Sequence, residues 1–257
     1  MGISKNKLRA GFSLVELSIV LIIIGLLVAG VSGGSKLVRS AEINKIINDI
    51  SSINIAYTTF YQTYDAIPGD FDEAESFWGG TPINNGDGDG KIEPVIGTTA
   101  AAADGDEATQ AFLHLSTSEV LPGTYDPTIQ DGAYAFVVTG GFGLLANEKD
   151  SAGTSNGGFA SHLSGKNLLI LGSTLSVAAR AALNPGVHSG FLKPEDAYRI
   201  DKKMDDGLSA SGNISYRDES ATSTNGDVTA AGCASGTGYL LTSTSKACNV
   251  IFKLPEV

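Results

Sequence analysis

Oxygen-bearing side chains alternate with glycine in the stretch NNGDGDGKIE, residues 84–93. Asn85, Asp87 and Asp89 are separated by single glycines, which allow the backbone to turn sharply and bring the three side chains together. Calcium prefers oxygen ligands of this kind, and the backbone carbonyl of Lys91 and the carboxylate of Glu93 follow at the next ligand positions. The spacing therefore predicts a calcium site.

This stretch matches the first half of an EF-hand-type calcium loop and departs from its second half. Counted from Asn85, the twelfth position should hold a bidentate acid but is Ile96, which excludes an intact EF-hand. An acid beyond the loop has to close the site, and the candidates are Asp104, Asp106 and Glu107. The predicted ligand set is Asn85, Asp87, Asp89, Lys91, Glu93 and Glu107. The alternative is a glycine-rich turn whose aspartates hydrogen-bond only their own backbone.

Residues suited to catalysis do not form a recognisable motif. The three histidines are far apart in the sequence, and none has the spacing of a metal ligand or of a partner to a nucleophile. They are His114, His162 and His188. His114 is interpreted as a packing or surface residue of a helix, and Asp201, Asp205 and Asp206 as the solvated end of another. The sequence therefore predicts a protein that is not an enzyme.

The net charge of −11 argues against a nucleic-acid partner, because there is no excess of cations to neutralise phosphates. Lys5, Lys7 and Arg9 all precede a long apolar run, as expected for the cytoplasmic flank of a membrane segment. The rest of the chain is then expected outside the cytoplasm. Two cysteines in an exported chain predict a disulfide between Cys233 and Cys248, with free thiols as the alternative.

The apolar run GFSLVELSIVLIIIGLLVAG, residues 11–30, contains a single charged residue, Glu16. Placing an acid or a base at the centre of a membrane helix costs about 2.5–3.5 kcal/mol on insertion scales. A secretory signal peptide cleaved near Ala29–Gly34, or a plain membrane anchor over Leu14–Val31, would leave this carboxylate without a function. The run is better explained if the helix is retained and Glu16 has a partner.

This run closely resembles the processing and assembly segment of type IV pilins and type II secretion pseudopilins. The resemblance implies that a prepilin peptidase cleaves after Gly11 and that the new N-terminus, Phe12, is methylated. It also implies that Glu16 pairs with the N-terminal ammonium of a neighbouring subunit and so sets the axial register of a filament. Pairing of Glu16 with the N-terminus of its own subunit, about one helical turn away, stays open.

The resemblance implies partners and a location as well. The partners are copies of this chain or related pilins, the prepilin peptidase and an inner-membrane assembly platform. The chain would cross the inner membrane of a Gram-negative bacterium once, with its N-terminus in the cytoplasm, and then enter a periplasmic or cell-surface filament. A C-terminal disulfide loop is typical of type IV pilins, whereas a calcium loop is found in type II secretion pseudopilins. Outside the family, the alternative is a membrane-anchored or secreted binding domain stabilised by calcium.

The expected organisation is a leader over residues 1–11, an apolar assembly helix over 12–36 and a globular domain over 37–257. Apolar residues recur every three or four positions up to Tyr64, so one helix from about Phe12 to Tyr64 is predicted, ending at AIPGDF. Shorter helices are predicted over 107–118 and within 193–207, and strands over 133–138, 167–171, 238–242 and 249–254. Together these elements predict an α+β, pilin-like fold, in which a long N-terminal helix packs on a short antiparallel sheet with long loops.

Overall fold

The computed structural model describes residues 13–80, 82–93, 107–123, 125, 136–138, 141–147, 161–172, 190–218 and 232–257. The chain divides into two compact units, residues 1–42 and residues 43–257. Helix α1 spans Leu14–Tyr64 and is shared between them. The predicted end of this helix at Tyr64 is confirmed, while Phe12, its predicted start, lies outside the described residues.

The described residues after α1 form three shorter α-helices: α2 over Ala74–Trp78, α3 over Glu107–Thr117 and α4 over Pro194–Met204. The predictions of a helix over 107–118 and of a helix within 193–207 are confirmed to within a few residues. Helix α4 begins at Pro194, whose fixed φ suits the first helical turn and whose missing N–H has no acceptor to lose there.

The described strands are β1 Phe136–Val138, β2 Gly141–Asn147, β3 Asn167–Gly172, β4 Ile214–Asp218, β5 Ala234–Ser235, β6 Gly238–Tyr239 and β7 Cys248–Lys253. Five of them form an antiparallel sheet in the order β1-β2-β3-β7-β4, and β5 pairs with β6 in a hairpin. Strands β3 and β7 confirm two of the four predictions, and β1 confirms the end of a third. The prediction over 238–242 is wrong beyond Tyr239, because Leu241 donates a backbone hydrogen bond to the Tyr239 carbonyl and the chain turns.

The core of the second unit forms between α1, α3 and the sheet. Ile43, Ile46, Ile50, Ile53, Tyr57 and Phe60 are all buried and recur every three or four residues, so they form one face of α1. They share a single apolar cluster with Phe112 and Leu115 of α3 and with the inward residues of β3 and β7. The predicted α+β architecture, a long N-terminal helix packed on an antiparallel sheet, is confirmed.

The predicted disulfide is also confirmed. Cys233, one residue before β5, is bonded to Cys248, the first residue of β7. The bond closes a loop whose ends are 15 residues apart and contains the β5–β6 hairpin. Tyr239 of this hairpin donates its hydroxyl to Asp201 of α4, so both the disulfide and this hydrogen bond tie the hairpin to the fold.

Candidate functional site

Two regions of the described residues are candidate functional sites: the exposed apolar part of α1 and the acidic loop over residues 84–93. Between Leu14 and Val31, the large apolar side chains are at least half exposed, from 50% at Ile23 and Ile24 to 86% at Leu14. By length and composition alone, α1 could cross a membrane. An exposed apolar surface of this extent marks a membrane or protein contact, because its exposure to water is unfavourable.

Glu16 has a hydrogen-bond partner within its own chain. Its Oε2 accepts the backbone N–H of Ser13 at 2.8 Å, and Ser13 Oγ accepts the backbone N–H of Val15 at 3.2 Å and that of Glu16 at 3.5 Å. This reciprocal arrangement is a capping box, and its Ser-x-x-Glu signature is visible in the sequence. Sequence reasoning assigned Glu16 to pairing with an N-terminal ammonium and missed this local role. Gly11 and Phe12, the predicted processing residues, lie outside the described residues.

Asp70 organises the acidic loop, although the sequence analysis did not single it out. The side chain is 4% exposed and accepts three backbone N–H groups. Its Oδ1 accepts from Gly88 at 2.7 Å and from Asp89 at 3.1 Å, and its Oδ2 accepts from Gly90 at 2.8 Å. Successive N–H groups directed at one carboxylate form an anion-binding concavity, so the loop is wrapped around Asp70.

Glu107 holds the same loop from the first turn of α3. It is 3% exposed, its Oε1 accepts the N–H of Asp87 at 3.0 Å and its Oε2 accepts the N–H of Glu93 at 2.8 Å. Its own N–H donates to the carbonyl of Glu93. Both carboxylate oxygens of Glu107, a residue predicted to close a calcium site, therefore bind the loop backbone.

Two further buried polar residues of α3 bind the start of the loop. Gln110 Oε1 accepts the N–H of Asn84 at 3.1 Å. His114 Nδ1 accepts the N–H of Gly69 at 3.0 Å, so Nε2 carries the proton and donates to the carbonyl of Asn84 at 3.1 Å. His114 is fully buried, and burial lowers its pKa to about 4. His114 was predicted to be a packing or a surface residue, and its burial supports the first of these two roles.

These three residues share one face of α3, and this spacing could have revealed them. Glu107, Gln110 and His114 follow one another at intervals of three and four, which places polar groups on a helical face that also contains buried apolar neighbours. A polar stripe of this kind in a buried helix indicates backbone groups to be satisfied, since buried polar atoms are almost always hydrogen-bonded.

The remaining predicted ligands are mostly engaged in local hydrogen bonds. Asn85 Oδ1 accepts the N–H of Glu75, Asp87 Oδ1 accepts the N–H of Asp89, and Asp89 Oδ1 accepts the N–H of Lys91. The Lys91 ammonium forms an ion pair with Asp89 and lies 3.6 Å from Glu93 Oε1. Burial raises the pKa of the Glu93 carboxyl.

Carboxylates converge at one point of this loop. One oxygen each from Asp70, Asp87 and Asp89 lie within 4.8 Å of one another, a grouping that could hold a metal ion. Burial, with a smaller contribution from neighbouring acids, raises the pKa of Asp70 to about 6 and that of Glu107 to about 8. The loop thus concentrates negative charge with Lys91 as its nearest cation among the described residues.

A second acidic cluster, formed by Asp201, Asp205 and Asp206, lies at the end of α4. Asp206 accepts the N–H of Leu208 in the turn that follows, and Asp205 accepts the N–H of Ile214 at the start of β4. The interpretation of this helix end as a solvated face is wrong for Asp201, which is fully buried. Asp201 accepts the N–H of Gly207 at 2.9 Å as well as the hydroxyl of Tyr239, so it closes the helix against the hairpin.

Comparison with known proteins identifies only the N-terminal region. Residues 6–32 match the family described as "Prokaryotic N-terminal methylation motif". Comparisons with curated proteins and with solved structures gave no significant match to this chain. The match covers the exposed apolar part of α1 together with Glu16, and leaves the acidic loop outside it.

Proposed function

We propose that this chain, which carries an N-terminal methylation motif characteristic of type IV pilins and type II secretion pseudopilins, is a structural subunit of a type IV pilus-like filament. The observation that carries this proposal is the coincidence of that motif with the exposed apolar part of α1. A segment with this motif implies a structural, non-enzymatic protein. The chain would be polymerised through α1, first held in the inner membrane and then transferred into the filament.

Processing would take place before the apolar helix and therefore preserve it. Cleavage after Gly11 by prepilin peptidase would create an ammonium at Phe12, which is then N-methylated. This ammonium would lie next to Ser13, whose N–H is already bound to Glu16 Oε2. A carboxylate in an apolar medium is tolerated when paired with a cation and hydrogen-bonded, so Glu16 would hold either its own N-terminus or that of a neighbour.

Mass spectrometry of the N-terminus tests the proposal. Protein recovered from membranes of cells with prepilin peptidase should begin at N-methylated Phe12, and protein from cells without it should retain residues 1–11. A Gly11→Leu variant should stay unprocessed in both, because the residue on the amino side of the cleaved bond has changed. A chain that begins at Met1 in both cells, or near residue 30, would contradict the proposal.

The location of the filament distinguishes two forms of this function. The disulfide between Cys233 and Cys248 supports a surface pilus, since C-terminal disulfide loops are typical of type IV pilins. The converging acids of Asp70, Asp87 and Asp89 support a type II secretion pseudopilus, in which calcium loops occur. Labelling of intact cells with a membrane-impermeant reagent separates them, because only a surface pilus would react.

We further propose that the acidic loop binds calcium. Asp70, Asp87 and Asp89 would supply most of the negative charge, and the other members of the predicted set, Asn85, Glu93, Glu107 and the Lys91 carbonyl, lie in or against the same loop. The Lys91 ammonium would have to leave Asp89 when the ion enters. A cation would offset the burial and the repulsion between carboxylates that raise the pKa values of Asp70, Glu93 and Glu107.

Isothermal titration of the detergent-solubilised chain tests for calcium. Wild-type protein should release or absorb heat that saturates at one ion, and Asp89→Ala should abolish this heat. Glu75→Ala removes an exposed carboxylate whose side chain takes no part in the loop, and should bind like the wild type. Absence of heat at millimolar calcium would leave the loop as a hydrogen-bonded turn.

A further inference from the structure

Asn85 and Gly86 form an Asn–Gly pair at the surface of the acidic loop. The Asn85 side chain is exposed, so water reaches it. Asparagine is one of the thermolabile residues of proteins, because the backbone nitrogen of the next residue can attack its side-chain carbonyl carbon. Glycine at that next position leaves the nitrogen unhindered, since it has no Cβ and few conformational restrictions. The pair is therefore chemically predisposed to deamidation.

Deamidation of this pair takes two steps and consumes one water molecule. The Gly86 nitrogen attacks Asn85 Cγ, the bond from Cγ to Nδ2 breaks, and the carboxamide nitrogen leaves as ammonia with the proton of the Gly86 N–H. Water then opens the resulting succinimide ring at one of its two carbonyl carbons. One opening gives aspartate at position 85, and the other gives isoaspartate, in which the main chain runs through the former side chain.

The folded loop holds both reacting groups in hydrogen bonds to residues outside it. The Gly86 N–H donates to the Phe71 carbonyl at 2.9 Å, and Asn85 Oδ1 accepts the N–H of Glu75 at 2.8 Å. Gly86 also packs so closely on Asp70 that a Cβ at position 86 would collide with the Asp70 backbone. The attack requires the Gly86 N–H to leave Phe71 and the carboxamide to rotate, so the folded loop suppresses the reaction.

We propose that Asn85 is a deamidation site that the folded loop protects and that reacts when the loop detaches. Two carboxylates hold the loop: Asp70 accepts three of its backbone N–H groups, and Glu107 accepts two. The rate of reaction is therefore set by local opening of these hydrogen bonds and not by the exposure of the side chain alone. Each reaction replaces a neutral carboxamide by a carboxylate two residues before Asp87, in a loop where acids already converge.

Peptide mapping of aged protein by mass spectrometry tests the site. In mildly alkaline buffer, Asn85 of the detergent-solubilised wild-type chain should convert at least about tenfold more slowly than in denaturing urea, because only the open loop reacts. Glu107→Ala removes two hydrogen bonds that hold the loop and should raise the rate in the folded chain about tenfold. Glu75→Ala is the matched control: it removes an exposed carboxylate, keeps the N–H that binds Asn85, and should react like the wild type.

A second measurement on the wild-type chain separates local opening from global unfolding. Urea below the unfolding transition should already raise the rate at Asn85, and hydrogen exchange of the Gly86 N–H should rise in parallel, because both need the bond to Phe71 to break. Two other Asn–Gly pairs, at residues 156–157 and 225–226, lie outside the described residues. In denaturing urea they serve as internal standards for the rate of an unprotected pair.

Three results would overturn the inference. One is an equal rate at Asn85 in the folded and the unfolded wild-type chain. Another is a folded Glu107→Ala variant that reacts no faster than Glu75→Ala. The third is a lack of conversion at Asn85 in denaturing urea while the other two Asn–Gly pairs react. The site lies within one chain, so failure of processing or assembly would contradict the proposed function and not this inference.

Discussion

Glu16 and Glu107 are carboxylates near the first turns of two helices, and both accept backbone N–H groups, but they do so over very different distances along the chain. Glu16 is exposed on α1, and its partner is the N–H of Ser13, three residues away. Glu107 is buried, and its partners are the N–H groups of Asp87 and Glu93, 20 and 14 residues away.

The difference indicates which carboxylate can change partners. A local hydrogen bond can be exchanged for another donor without any change in the tertiary structure, so Glu16 can be used in assembly. Breaking the bonds of Glu107 would release the acidic loop from α3 and leave the buried N–H of Glu93 unsatisfied. The first carboxylate is therefore suited to contacts between subunits, and the second to holding a fold together.

The largest expected effect is that of Glu16→Ala on assembly. Cleavage after Gly11 should continue, because the basic leader and the glycine are unchanged. Incorporation into filaments should be lost, because the N-terminal ammonium no longer has a carboxylate partner. Immunoblots of membrane and filament fractions measure both steps. The control is Glu42→Ala, which removes only a partly exposed ion pair with Arg39 and should assemble normally. Normal filaments from Glu16→Ala would refute the assembly role.

The next largest difference is expected between two glycine substitutions, one in the acidic loop and one in the apolar part of α1. A Cβ at Gly86 would lie 2.3 Å from the Asp70 carbonyl carbon, a backbone atom that cannot move away alone, so Gly86→Ala should cost about 3 kcal/mol of folding free energy. A Cβ at Gly30 would meet nothing within 4 Å, and Gly30→Ala should leave the subunit folded. Urea unfolding measures both, and equal midpoints would show that the loop is not tightly seated on Asp70.

Removing the carboxylate of Glu107 should have a smaller effect than the clash at Gly86. Glu107→Ala leaves the buried N–H of Glu93 and the part-buried N–H of Asp87 without an acceptor. A buried donor without an acceptor costs about 1–3 kcal/mol, and some of this is regained because a buried acid is also removed. We expect a net loss of about 2 kcal/mol, measured by urea unfolding. Glu75→Ala, at an exposed position, should stay within about 0.5 kcal/mol of the wild type. If Glu107→Ala were as stable as the wild type, this would show that Glu107 does not stabilise the fold.

Simple sequence signals were sufficient to predict helix α1 and the disulfide. The interval of three and four between apolar residues identifies α1 to Tyr64, and the presence of two cysteines in a chain expected to be exported predicts the disulfide. The first signal depends only on residues that are close together in the sequence, and the second depends only on the number of cysteines. The Ser-x-x-Glu pattern of a capping box is also present at Ser13 and Glu16, but it was not used to predict the start of α1.

The acidic loop could be located from sequence, but its partners could not be identified. Glycine and aspartate spacing shows that residues 84–93 turn sharply. It does not show that Asp70, 18 residues before Gly88, receives three N–H groups of that turn. These hydrogen bonds depend on where α3 and the turn after α1 meet in the core, and no local sequence pattern predicts that position. Long-range hydrogen bonds are thus the part of the site that needs a structure.

The pH dependence of stability gives the smallest effect and the sharpest test of the Glu107 environment. Burial raises the pKa of Glu107 to about 8, against about 4.3 in an unfolded chain. Between these values the folded state binds the extra proton, so the free energy of unfolding should fall as pH rises, by up to about 1.4 kcal/mol per pH unit, and level off above pH 8. Urea unfolding of the detergent-solubilised chain at pH 7, 7.5 and 8 measures this slope.

Asp70, Asp201 and His114, which are buried, titrate below this range, and Tyr57 titrates above it. Burial raises the pKa of Asp70 and of Asp201 to about 6, and lowers that of His114 to about 4, which gives the opposite sign between about pH 4 and 6.5. Glu107→Gln should therefore remove the slope between pH 7 and 8. Millimolar calcium should also flatten it in the wild type, because a bound cation favours the ionised carboxylates. A slope that persists in calcium would mean that the charge of this loop is held by backbone N–H groups alone.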